Sequence, residues 1–165
     1  MTGDRARHPN ASGGFTLIEL LITVVIVSIL ALTALPLAEL AVQRGREAEL
    51  RSALRQIREA IDAYRKEVDE GRIARKAVDT GYPPTLEVLV TGVEDEKSPT
   101  RQKIYFLRRI PRNPLADDPH LSNADTWGKR GYASPADDPK PGDDVYDVYP
   151  VGGGIGLNGI PYRDW

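Results

Sequence analysis

The chain has no cysteine in its 165 residues, which excludes a disulfide framework, a thiolate nucleophile and the cysteine-ligated zinc sites. Packing, hydrogen bonds and ion pairs must hold it together. Histidine is nearly as scarce: His8 lies near the N-terminus, and His120 lies in a segment of proline and aspartate where a solvated side chain is expected. With no pair of histidines at ligand spacing and no Gly-x-Ser-x-Gly elbow, the common catalytic constellations are missing, and no enzymatic activity is expected. The formal net charge is -2, the wrong sign for a nucleic-acid binder.

Apolar residues, by contrast, are concentrated. From Leu20 to Ala38 there is no charged residue, and Glu19 alone interrupts an apolar span that begins at Phe15. At about 1.5 Å per residue, about 20 such residues cross a bilayer core of about 30 Å, so a membrane-inserted helix is expected. A carboxylate at the mouth of that span costs about 2.5 to 3.5 kcal/mol on insertion scales, so Glu19 needs a cation or a proton. Arg5 and Arg7, offset by Asp4, place the N-terminus on the cytoplasmic side and the bulk of the chain outside. A secretory signal has its small residues after the apolar core. Here Gly13 and Gly14 precede it.

The run Gly14-Phe15-Thr16-Leu17-Ile18-Glu19 resembles the class III signal of type IV pilins and type II secretion pseudopilins. The resemblance implies cleavage after Gly14 by a prepilin peptidase, N-methylation of Phe15, and pairing of Glu19 with the terminal ammonium of an adjacent subunit. It also implies a role in assembly for Pro36, which stands where pilin helices carry a proline. The proline should bend the helix, and in the resembled filaments the segment beside it can melt. The organisation expected is a leader at 1–14, a membrane and filament-core helix at 15–40, and a periplasmic globular domain at 41–165. Loss of the leader removes two arginines and one aspartate, so the formal charge moves from -2 to -3.

Beyond Pro36 the pattern becomes periodic. Leu50, Leu54, Ile57, Ile61, Tyr64 and Val68 step by four, three, four, three and four between charged neighbours, which predicts an amphipathic helix with one buried stripe, stopped at Gly71. The stripe is too short for a confident coiled coil, so packing on the chain's own sheet is the expectation. A short helix is expected over Thr85 to Thr91 with Leu86, Leu89 and Val90 inward, then a loop from Val93 to Thr100. Strands are expected at Lys129 to Ser134 and Val145 to Tyr149. The fold class is therefore α+β: a long N-terminal helix, apolar then amphipathic, on a small antiparallel sheet with a loop-rich C-terminal region.

In the C-terminal half, Tyr82-Pro83-Pro84-Thr85, Ile110-Pro111-Arg112-Asn113-Pro114, Thr126-Trp127-Gly128, Tyr132-Ala133-Ser134-Pro135 and Val145-Tyr146-Asp147-Val148-Tyr149 are similar, in order, to the G-type major pseudopilins of type II secretion. The resemblance implies a homopolymer, also joined by other pseudopilins, and served by an inner-membrane platform and an assembly ATPase. It implies a single-pass inner-membrane protein that becomes a periplasmic filament. The absence of cysteine agrees, since many type IV pilins carry a C-terminal disulfide. Two departures stand out: Leu115 to Asp125 intervenes between the proline turn and Trp127-Gly128, and the loop Pro150 to Gly159, where that family binds calcium, contains no acid. A displaced calcium site would draw on Asp137, Asp138, Asp143, Asp144 and Asp164. The competing and preferred reading is a solvated acidic turn around Pro139, Lys140 and Pro141. Gly154-Ile155-Gly156-Leu157-Asn158-Gly159 matches a dinucleotide fingerprint literally, but no helix and second strand can follow in the residues that remain, so its glycines are turns. Trp127 and Trp165 are expected to pack. Other readings are a type IV pilus subunit and a signal-anchored periplasmic binding module that never polymerises.

Overall fold

The computed structural model describes residues 14–75 and 79–165, with backbone alone at 33–35. The leader up to Gly13, with His8, lies outside the described residues. Two compact units divide between Ala41 and Val42.

From Leu17 on, the first unit is helical. Helix α1 is assigned over Leu17–Asp69, with Pro36 inside it. It opens on a capping box in outline: Thr16 precedes the first helical residue, Glu19 stands three positions on, and the Glu19 N–H donates to Thr16 Oγ1 at 3.3 Å. The hydroxyls of Thr23 and Ser28 return to the carbonyls of Leu20 and Val24 at 2.9 and 2.7 Å. The helix thus satisfies its own polar groups, as hydrocarbon surroundings demand. Its large apolar side chains stand exposed, from Leu17 (84%) through Ile22 (51%) to Leu32 (75%).

In the second unit the predicted stripe is the core. Leu50, Ile57 and Ile61 are fully buried, and Leu54, Tyr64 and Val68 nearly so. They pack with Leu86, Leu89, Ile110, Trp127, Val145 and Val148. The helix ends in a Schellman motif: Gly71 adopts φ +69°, its N–H donates to the Val68 carbonyl, and the Arg72 N–H reaches the Glu67 carbonyl, both at 2.9 Å. Arg72 then pairs with Glu67 at 2.8 Å and Asp95 at 2.7 Å.

The remaining elements are short. Helix α2 is only Val88–Thr91, shorter than the expected Thr85 to Thr91, and is entered through a turn in which the Leu89 N–H donates to the Leu86 carbonyl at 3.2 Å; Leu86 and Leu89 are buried. The segment expected as a loop from Val93 carries a strand, β1 (Val93–Glu94), antiparallel to β2 (Lys103–Ile104). Strand β3 is Trp127–Arg130, shifted back from the expected Lys129 to Ser134, and β4 is Asp147–Pro150. They pair antiparallel, with Trp127 opposite Pro150 and Arg130 opposite Asp147. The chain leaves β3 at Gly131 because the next N–H, of Tyr132, is taken by the Asp144 carboxylate at 2.8 Å. The strands form two separate two-stranded sheets rather than one.

Candidate assembly segment and its supporting domain

Gly14 and Phe15, the first two described residues, are exposed, and no ion partner for Glu19 occurs among the described residues. Its place in the first turn lets the positive end of the helix dipole face it. That is a modest offset for a carboxylate in an apolar run. Pro36 stands exposed within α1, where its ring removes one i→i−4 hydrogen bond.

In the second unit, Glu47 is 4% exposed. Its Oε1 accepts the Leu157 N–H at 2.8 Å, the Tyr162 hydroxyl at 3.0 Å and the Gln43 amide at 3.2 Å. Burial raises the Glu47 pKa, but these donors, with Arg51 nearby, outweigh it and hold the carboxyl below the ordinary range. About three turns of α1 later, Arg58 donates to Asp147 Oδ1 at 2.8 Å, the Val148 carbonyl at 3.3 Å and the Trp165 carbonyl at 2.7 Å. The C-terminal segment is thus laced to the helix at both ends. Glu47 is one the sequence reading missed, although it continues the buried stripe three positions before Leu50.

The interruption at Leu115 to Asp125 is a closed excursion. Asn113, 1% exposed, donates its N–H to Thr126 Oγ1 and its Nδ2 to the Thr126 carbonyl, both at 3.2 Å. Trp127 Nε1 donates to the Pro111 carbonyl at 2.8 Å. The proline turn therefore lies against Trp127 despite the inserted residues. Gly128 sits under the Tyr149 ring, where an added Cβ would come within 2.3 Å of it. Tyr82, Tyr132 and Tyr146, from three separate motifs, converge with ring centroids 4.9 to 5.5 Å apart.

The calcium candidates do not converge. Asp138 pairs with Lys140 at 2.7 Å, Asp144 is committed to the Thr80 hydroxyl and the Tyr132 N–H, and Asp164 lies in a single 3₁₀ turn, Tyr162–Asp164. Among the described residues no group of three or more acids or histidines is placed to hold a metal. The Gly154 to Gly159 run forms turns closed by bonds from Gly156 N–H to the Ile160 carbonyl and from Gly159 N–H to the Gly156 carbonyl. His120 is exposed.

A protein-family model described as the prokaryotic N-terminal methylation motif matches residues 9–35. No curated protein matches the chain, and no solved structure does. The matched segment is a prepilin-type signal, and it indicates a type IV pilin-like or pseudopilin subunit, processed by a prepilin peptidase and assembled into a pilin-type filament. The same motif and an apolar helix with a mean hydropathy of 2.7 over its most apolar window point to membrane anchoring.

Proposed function

We propose that the chain is a structural subunit of a type II secretion pseudopilus, a filament protein with no catalytic role. The observation that carries the reading is the unbroken Gly14 to Glu19 run inside the matched methylation motif, directly ahead of an apolar helix with exposed side chains. The choice of secretion over a pilus is supported by the order of the C-terminal motifs and by the absence of cysteine.

Cleavage after Gly14 exposes the Phe15 amine, and methylation keeps it cationic. That amine supplies the partner Glu19 requires in a neighbouring copy. Within lipid, helices associate through packing and polar contacts, because lipid tails are as apolar as leucine. Extraction into a filament is therefore driven from outside the subunit, by an assembly ATPase and a membrane platform. Pro36 supplies the weak point in the helical ladder where the segment adjusts as the helices bundle. The globular unit is carried to the filament surface in the periplasm, with the N-terminus originally cytoplasmic.

Deleting the gene in its host should abolish release of exported proteins into the medium. Wild-type protein should restore release, and Glu19→Ala should be processed normally yet fail to restore it. Unchanged secretion with lost surface filaments would contradict the secretion reading and favour a type IV pilus.

A further inference from the structure

A groove of about 430 Å³ runs between α1 and the C-terminal segment. Its floor is apolar, from Leu54, Ile160 and Trp165, and Arg51, Arg55 and Arg58 line one side. Arg58 is neutralised by Asp147. Arg51 lies over the Trp165 ring at 4.2 Å, and its side chain is half exposed, with the Glu47 carboxylate 3.9 Å from one guanidinium nitrogen. Arg55, one turn on, is exposed and has no ion partner among the described residues. Asp164 is the one acid in the lining.

A complementary surface lies on the same chain. The excursion after Asn113 is braced from inside: Leu115 N–H donates to Asn113 Oδ1 at 2.9 Å, and the Arg112 guanidinium is spent on the carbonyls of Asp118 and Leu121. The loop therefore holds the adjacent acids Asp117 and Asp118 exposed, with Leu121 40% exposed beside them. The Asp118 carboxylate accepts the His120 N–H at 2.9 Å, and neither Asp117 nor Asp118 forms an ion pair among the described residues. Two carboxylates with an apolar neighbour match two guanidinium groups above an apolar floor.

We propose that this groove receives the Asp117-Asp118 loop of a second copy of the chain. The contact rests on the filament reading above. In that filament each subunit gives its loop to one neighbour and receives another neighbour's loop in its groove, a heterologous pairing. Charge complementarity sets its register, and rigid parts on both sides limit the ordering cost.

The absence of native cysteine makes the test direct. Full-length chains bearing Arg55→Cys and Asp117→Cys are co-expressed, oxidised in intact cells and read as interchain dimers, with Arg55→Cys plus Glu87→Cys as the control pair. The expected yield is about tenfold above control. In a parallel series, Asp117→Arg or Arg55→Asp alone should lower filament yield about tenfold, and a strain carrying both substitutions in one chain should recover most of it. Filaments that form with cross-linking no higher than control, or charge reversals without effect, would overturn the docking and leave the filament reading standing. A wild-type chain that forms no filament would overturn both.

Discussion

Glu47 shows how one residue decides the placement of a whole segment. Its carboxylate collects the Leu157 N–H and the Tyr162 hydroxyl, donors that would otherwise be left unpaired against the helix. Hydrogen bonds to a charged group are worth about 1.5 to 3 kcal/mol each, and a deserted buried donor costs about 1 to 3. Glu47→Ala should therefore lower stability by about 2 kcal/mol or more, and Glu47→Gln by less, because the amide oxygen still accepts. Since the folded pKa lies below the ordinary value of 4.5, the contribution is complete above that value and is lost as pH falls through the folded pKa. Urea midpoints of the detergent-solubilised chain, followed by tryptophan fluorescence, should show the gap between wild type and Glu47→Gln narrowing between neutral pH and about pH 3. A gap independent of pH would contradict the role. Gly128 decides matters by size: the Tyr149 ring fills the space a side chain would need. Gly128→Val should detach β3 from β4, which cross-strand pairing cannot tolerate. Loss of the near-ultraviolet aromatic signal with helix content retained would confirm it; an unchanged spectrum would not.

Among the elements, α1 was the most legible because its two halves obey different solvents. The uniform run up to Ala38 and the alternating steps of four and three from Leu50 to Val68 each follow from what surrounds the helix. Gly71 ended it for a reason readable in advance, since glycine tolerates the positive φ of the cap. The strands were less legible. Four residues or fewer per strand leave no room for a period-two pattern to declare itself, and their limits depend on contacts distant in sequence, such as Asp144 taking the Tyr132 N–H. The bonds of Arg58 to Asp147 and Trp165, and of Asn113 to Thr126, were invisible for the same reason. Packing is the test at this scale: Ile57, fully buried at the middle of the stripe, should cost about 2 to 5 kcal/mol when cut to alanine, measured by the same urea midpoints. A cost near zero would mean that the stripe is not the core.

For the molecule as a whole, the two units face different demands. Under the proposed function one must lie in lipid and release from it; the other must be stable without disulfides, and it uses Glu47, Arg58 and Arg72 to tie its loops to the helix. In the proposed function the processing step joins these demands, because the amine proposed to pair with Glu19 comes into being only when the leader is removed. Intact-mass analysis and terminal sequencing of protein extracted from the membranes of its native host test this most directly. The account predicts a chain beginning at N-methylated Phe15. A population that begins at Met1 and carries no methyl group would contradict it.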